Sequence, residues 1–229
     1  MAEKHMIITI GRQFGSGGHQ IARIVADKLG LNLYDGELFD QAAKKVGENP
    51  DKFRKMDESR TLRDRILSPG DNRYATTATL YDDILAPMKN IDAASRQVNR
   101  TMEYARTVQD NLYMFESELI KEAAKEPCVI VGHCGNFVLR DYPNVFRVFV
   151  FAPLDFKVKR VMAEDPSMSR DAAIRFIQKK DKNRKNYHEF YTPYRWGTID
   201  GLDMLINSGL YGVEKAADIV ADVAKKTLA

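Results

Sequence analysis

Residues Met6-Ile-Ile-Thr-Ile10 form a β-prone run with almost no polar alternation, and the run stops at Gly11. The turn Gly11-Arg-Gln-Phe-Gly15-Ser-Gly17-Gly18-His19 carries the chain into Ile21, Ala22, Ile24, Val25 and Leu29 at helical spacing, with Gly30 placed as a C-cap. A strand of this kind is buried on both faces, which means a parallel sheet covered by helices. Glycine in the turn lets backbone amides come close to an anion. The helix that follows adds unbonded N–H groups and the positive end of its dipole. The order strand, glycine turn, helix therefore points to a nucleotide phosphate over Gly15, Ser16, Gly17, Gly18 and His19. A tight packing turn that binds nothing is the alternative.

Further β-prone runs stand at Leu31–Tyr34, Cys128–Val131, Phe146–Phe151 and Leu202–Ile206. Helical patterns lie between and after them: from Asp35-Gly36 through Val46, over 50–67, over 102–125, from Leu154 to Met162, from a Ser169 cap toward Tyr191, and from Val213 to Leu228. Strands alternating with helices predict an α/β domain whose parallel sheet is covered on both faces. The stripe Met102, Ala105, Val108, Leu112, Phe115, Leu119 and Ala123 reads as core. Its alternative is a contact between copies of the chain, a homo-oligomer through helix 102–125.

Composition excludes several classes. With 229 residues, 44% of them hydrophobic, the chain can bury a core of its own as a single domain, 1–229. No apolar run approaches the ~18 residues of a membrane span. Met1–Met6 lacks the apolar centre of a signal peptide, so a cytoplasmic location without a membrane partner is expected. The two cysteines, Cys128 and Cys134, lack Cys-x-x-Cys spacing and are read as buried reduced thiols rather than a disulfide or zinc set. A net charge of +3 is too small to argue for nucleic acid. Lys179, Lys180, Lys182, Arg184 and Lys185 nonetheless cluster, as a solvated helix face or an anion site. His5 and His188 are read as surface residues. Tyr187, Tyr191, Tyr194 and Trp196 are read as packing of this segment on the domain rather than as base-stacking groups.

The turn departs from the usual phosphate-loop pattern, Gly-x-x-x-x-Gly-Lys-Ser/Thr. Gly18 stands where the lysine belongs and His19 where the hydroxyl belongs. Arg12 can supply the missing cation, since a guanidinium grips phosphate through two parallel hydrogen bonds. No Ser-His-Asp set and no metal-ligand cluster is evident. Asp35 reads either as a helix N-cap or as a group that orients an acceptor or a metal-bound water. His133, just past the end of the third strand, lies where a site should be. Asp181, three residues before Arg184, is a local charge pair with it or a break in a basic helix face.

Six blocks in order along the chain resemble the cytidylate kinase-like family. They are Ile8–His19, Leu33-Tyr-Asp-Gly-Glu-Leu38, Val129-Ile-Val-Gly-His-Cys134, Phe149-Val-Phe-Ala-Pro153, Lys180-Asp-Lys-Asn-Arg184 and Leu205-Ile-Asn-Ser208. The resemblance implies a three-layer P-loop NTPase-type domain with a five-stranded parallel sheet in the order 2-3-1-4-5. It implies a helical acceptor-side insertion at 36–126 and a helical lid at 169–196. The implied activity is ATP-dependent phosphoryl transfer to a nucleoside monophosphate, CMP or dCMP, with Mg2+. Arg12, Arg184 and Asp181 match catalytic positions, and Gly15, Ser16, Gly17, Gly18 and His19 match the donor loop. Asp35, His133 and, more loosely, Arg160 match substrate-binding positions. Gly36, Gln41 and His133 replace arginines of the family pattern, and a nucleotide-binding module without efficient catalysis is the alternative function.

Overall fold

A computed structural model of the chain describes residues 5–35, 113–114 and 116–228. The helices expected through Val46 and over 50–67, nearly all of the 36–126 insertion and most of helix 102–125 with its homo-oligomer contact lie outside those residues. The five strands are β1 (Ile7–Arg12), β2 (Asn32–Tyr34), β3 (Cys128–Val131), β4 (Val145–Phe151) and β5 (Met204–Asn207). All pair in parallel in the order β2-β3-β1-β4-β5, the order the resemblance implies. The last strand starts two residues later than its apolar pattern. Asp203 instead anchors the β4 edge, donating its N–H to the Arg147 carbonyl and accepting the Arg147 N–H on Oδ2 at 2.8 Å each.

Alternation along β1 sends its side chains to two different layers. Ile8 and Ile10, flanked by Val129, Val131, Phe146 and Val148, pack against Ile21, Ala22 and Val25 of α1 (Gly18–Leu29) and Ala216, Ala217 and Val220 of α7 (Val213–Leu228). Ile7, with Cys128, Ile130 and Val145, packs against Ile120 and Ala123 of α2 (116–123) and against Val138 of the short α3 (Gly135–Val138). The result is a three-layer domain with β1 at its centre. Between β4 and β5 lie α4 (Leu154–Glu164) and α5 (Arg170–Tyr191), and α6 (Ser208–Tyr211) leads into α7. Ser169 caps α5, its hydroxyl accepting the Ala172 N–H at 3.2 Å. None of the described helices is long and apolar enough to cross a membrane.

Two readings of histidines as surface residues are corrected. The His5 ring is partly buried, with Nε2 2.6 Å from the Ala124 carbonyl oxygen. His188 is buried because it lies on the inward stripe of α5, four residues beyond Arg184. The aromatic residues of this segment pack internally: Tyr191 stacks on Tyr113 at 4.1 Å, and Trp196 meets Phe149 edge-on at 5.2 Å.

Ile8 is fully buried in the central strand. Ile8→Ala should therefore cost about 2–5 kcal/mol and Ile8→Val about 0.5–1.5 kcal/mol, read from urea unfolding. Equal stability of Ile8→Ala and the parent would contradict the central position of β1.

Candidate active site

All five strands point the same way, so their carboxyl ends share one edge, and Arg12, Asp35 and His133 emerge there. The loop after β1 is held by specific bonds. Gln13 N–H donates to Val150 O at 3.0 Å, and Phe14 N–H donates to Asp181 Oδ1 at 2.6 Å. Ser16 turns both its N–H, at 3.4 Å, and its hydroxyl, at 2.8 Å, to the Gln13 carbonyl. Its own carbonyl accepts the Ser208 hydroxyl at 2.6 Å. Gly15 and Gly17 are left-handed, with φ of 74° and 76°. The N–H groups of Gly15, Gly17, Gly18, His19 and Gln20 make no hydrogen bond among the described residues. Five unspent donors thus stand at the positive end of a 12-residue helix. The sequence pattern places Ser16 in the phosphate-binding set and does not mark Gln20. The rule that the first N–H groups of a helix lack internal partners could have supplied Gln20.

Three guanidinium groups lie around this turn. Arg12 leaves the end of β1 toward Gly132 at the end of β3. Arg184 of α5 donates from Nη1 to the Arg12 carbonyl at 3.3 Å and lies over the Phe14 ring at 5.5 Å. Arg160 of α4 donates from Nη2 to Gln20 Oε1 at 3.2 Å, and its buried Nε has no partner among the described residues. Arg160 therefore stands beside the loop, next to Gly17 and Gln20. Asp35 Oδ2 is 2.9 Å from His19 Nδ1, which ties the end of β2 to the first turn of α1.

A cavity opens beside Arg12 and Arg184, lined also by Thr9, His133, Tyr187 and Trp196. Gly132, His133 and Cys134 are three consecutive left-handed residues, with φ of 85°, 53° and 55°. Non-glycine residues adopt this conformation at a cost of about 1–2 kcal/mol each. The strained turn brings His133 to the cavity wall. Burial, with Arg12 and Arg184 alongside, holds the His133 imidazole well below its ordinary pKa, so the ring is neutral near pH 7. Glu116 of α2, also buried, accepts a short hydrogen bond from the Tyr187 hydroxyl and places Oε2 3.8 Å from His133 Nδ1.

The inward stripe of α5 explains how this assembly forms. Ala173 and Ile177 pack on Val158 and Val161 of α4, with Phe14 from the loop against the same cluster. Further along, the stripe turns polar with Asp181, Arg184 and His188. Asp181 does not reach for Arg184. Its two oxygens take the Phe14 N–H and Lys157 Nζ, the latter at 2.9 Å. Lys157 also donates to Gln13 Oε1 at 3.3 Å. The side chains of Lys157 and Asp181 are only 9% and 16% exposed, so this is a buried ion pair joining the loop, α4 and α5. The sequence motifs do not include Lys157 or Glu116. The available signal was a charged residue on an apolar stripe: Lys157 four before Val161, and Glu116 four before Ile120.

Removing one member of a buried pair leaves the other charge uncompensated. Asp181→Ala should cost about 3–5 kcal/mol, while the apolar pair Asp181→Leu with Lys157→Met should recover most of it in chemical denaturation. A loss under about 1 kcal/mol for the single variant would show that the pair is solvated. The depressed pKa of His133 carries a pH signature. The unfolded imidazole takes up a proton below about pH 6.5 and the folded one does not. Its stabilising contribution is full above that pH and is lost as pH falls toward the lower folded value. His188, lowered by burial, acts in the same direction. Melting temperature should drop more steeply from pH 7 to 5 in the parent than in His133→Asn, and equal slopes would contradict a neutral His133.

The sequence matches the family model described as the cytidylate kinase-like family over residues 7–210. It is 24% identical over 159 residues to a cytidylate kinase of Sulfolobus acidocaldarius, covering 67% of this chain and 81% of that protein. It is 22% identical over 238 aligned positions to a cytidylate kinase of Pyrococcus horikoshii, covering 99% of this chain and 97% of that protein. Among solved structures, an uncharacterized protein from Eubacterium ventriosum superposes with a TM-score of 0.64 at 27% identity, over 96% of this chain and 99% of that one. The matched span takes in the glycine turn, the strained end of β3 and α5 together, and the chain belongs to the cytidylate kinase-like family.

Proposed function

We propose that the chain is a kinase that transfers the terminal phosphoryl group of ATP to a nucleoside monophosphate, with CMP or dCMP as the acceptor. The observation that carries this reading is the set of five unspent amides at Gly15, Gly17, Gly18, His19 and Gln20 beside the guanidinium groups of Arg12, Arg160 and Arg184.

The amides and the α1 dipole bind the donor phosphates. Arg160, fixed by Gln20, adds charge on the donor side. Arg12 and Arg184, at the cavity, meet the transferring phosphoryl group, whose charge spreads over its equatorial oxygens in a loose transition state. Asp181 sets the geometry from behind, because it holds the loop backbone at Phe14 and lies three residues before Arg184 on the same helix. When bound with ATP, Mg2+ would supply charge neutralisation at the phosphates. Asp35, which stands at the carboxyl edge with Oδ2 2.9 Å from His19 Nδ1, is the carboxylate that would hold it, since Mg2+ takes one or two carboxylates alongside phosphate oxygens and water. The acceptor enters the cavity, where neutral His133 hydrogen-bonds without adding charge. The buried Thr9 hydroxyl, unpartnered among the described residues, offers a further polar contact.

A coupled assay with ATP, Mg2+ and a panel of nucleoside monophosphates tests the proposal. Turnover should be greatest with CMP or dCMP. Arg12→Ala should cut it by about a hundredfold or more, because an arginine on transferring oxygens can be worth about 10³–10⁵. Arg12→Lys should recover only part of that loss. ATP binding without turnover of any monophosphate would favour a nucleotide-binding module instead.

A further inference from the structure

We propose that Gly18 and Gly132 are positioning residues for Arg12: they leave the slot in which its side chain lies, so that a side chain at position 18 and an arginine at position 12 exclude each other. The inference rests on the reading of Arg12 as a phosphate-binding cation.

Gly18 is the first residue of α1, and its φ is not left-handed. Nothing in its backbone requires glycine, and alanine is the better helix former by about 1 kcal/mol. Space is what requires it. A Cβ on Gly18 would fall 2.5 Å from Arg12 Cβ, 3.0 Å from Arg12 Cγ and 3.4 Å from Val150 Cβ. Neither neighbour can yield easily. Val150 is fully buried in β4, and Arg12 is its partner in the β1–β4 register. Any side chain at 18 therefore displaces the stem of Arg12.

At the far end of the same side chain, a Cβ on Gly132 would overlap Arg12 Nη1 and lie 3.1 Å from Cζ. Two glycines from different segments thus bracket one arginine, one at its stem and one at its head. In the usual phosphate loop the cation stands at the position Gly18 fills here. The volume it would need at its base is the volume that the Arg12 stem occupies. The cation has been moved from the first turn of the helix to the end of the central strand, and glycine at 18 is the steric condition of that move.

A rival account has Gly18 needed only for close approach of phosphate to its amide. The two accounts differ in coupling, which a double-mutant cycle reads. Titration calorimetry of ATP with Mg2+ into the full chain would compare the parent, Arg12→Ala, Gly18→Ala and the double variant, with thermal unfolding of each. Arg12→Ala and Gly18→Ala should each weaken ATP by about ten- to hundredfold, the worth of a charge-assisted hydrogen bond, and the double variant should bind no more weakly than Arg12→Ala alone. A second cycle with Gly132→Ala reads the same coupling from the head of the side chain. Because Gly132 is left-handed, Gly30→Ala serves as its strain control: Gly30 has φ of 64° and nothing within 4 Å of its Cβ position, so it should lower the melting temperature and leave ATP affinity unchanged. Effects of Arg12→Ala and Gly18→Ala that multiply, or a Gly18→Ala chain that binds ATP as the parent does, would overturn the inference alone. A parent that binds no ATP would overturn the kinase reading and the inference with it.

Discussion

Burial of β1 on both faces is the constraint from which the rest follows. Ile8 and Ile10 face one helical layer and Ile7 the other, so no polar chemistry has room on either side of the central strand near its start. Every strand of the parallel sheet delivers its next residue to the carboxyl edge. The glycine turn, Asp35 and the strained Gly132–Cys134 turn are three loops brought to one place by the direction of the sheet. They are far apart in sequence, and the sheet alone makes them neighbours.

What turns that edge into an organised site is the carboxylate of Asp181. It accepts a backbone N–H from the loop and an ammonium from α4 while belonging to α5. A buried pair of this kind is weak evidence for net stability, since desolvation offsets much of its attraction. Its effect is on arrangement. With Phe14 seated between α4 and α5, the loop cannot shift without moving both helices. The same stripe of α5 that begins as hydrophobic packing ends as a row of polar groups, so one helix both anchors the layer and presents Arg184.

The electrostatics of the cavity are read most directly at His133. Arg12 and Arg184 lie close enough to depress the pKa of His133, and Glu116, which accepts the Tyr187 hydroxyl, lies 3.8 Å from the same ring. Holding His133 neutral keeps a third positive charge out of a buried region that already has two.

The sequence by itself determined the strand–glycine turn–helix unit, the alternation of strands and helices and the unbroken apolar runs that mark a doubly covered sheet. These are local properties: periodicity, glycine placement and caps act over a few residues. The sequence also marked Arg12, Asp35, His133, Asp181 and Arg184 as residues of interest, through position and family resemblance. Tertiary structure decided their partners. It gave Asp181 to Phe14 and Lys157, separated by 167 and 24 residues, and set Arg160 beside Gly17. It buried His188 and brought Glu116 to His133. It also gave Gly18 its meaning. In the sequence Gly18 is a missing lysine, and only the position of the Arg12 stem against β4 shows that the space is already taken. Side-chain partners across different elements depend on where the backbone places them, and no short-range pattern encodes that.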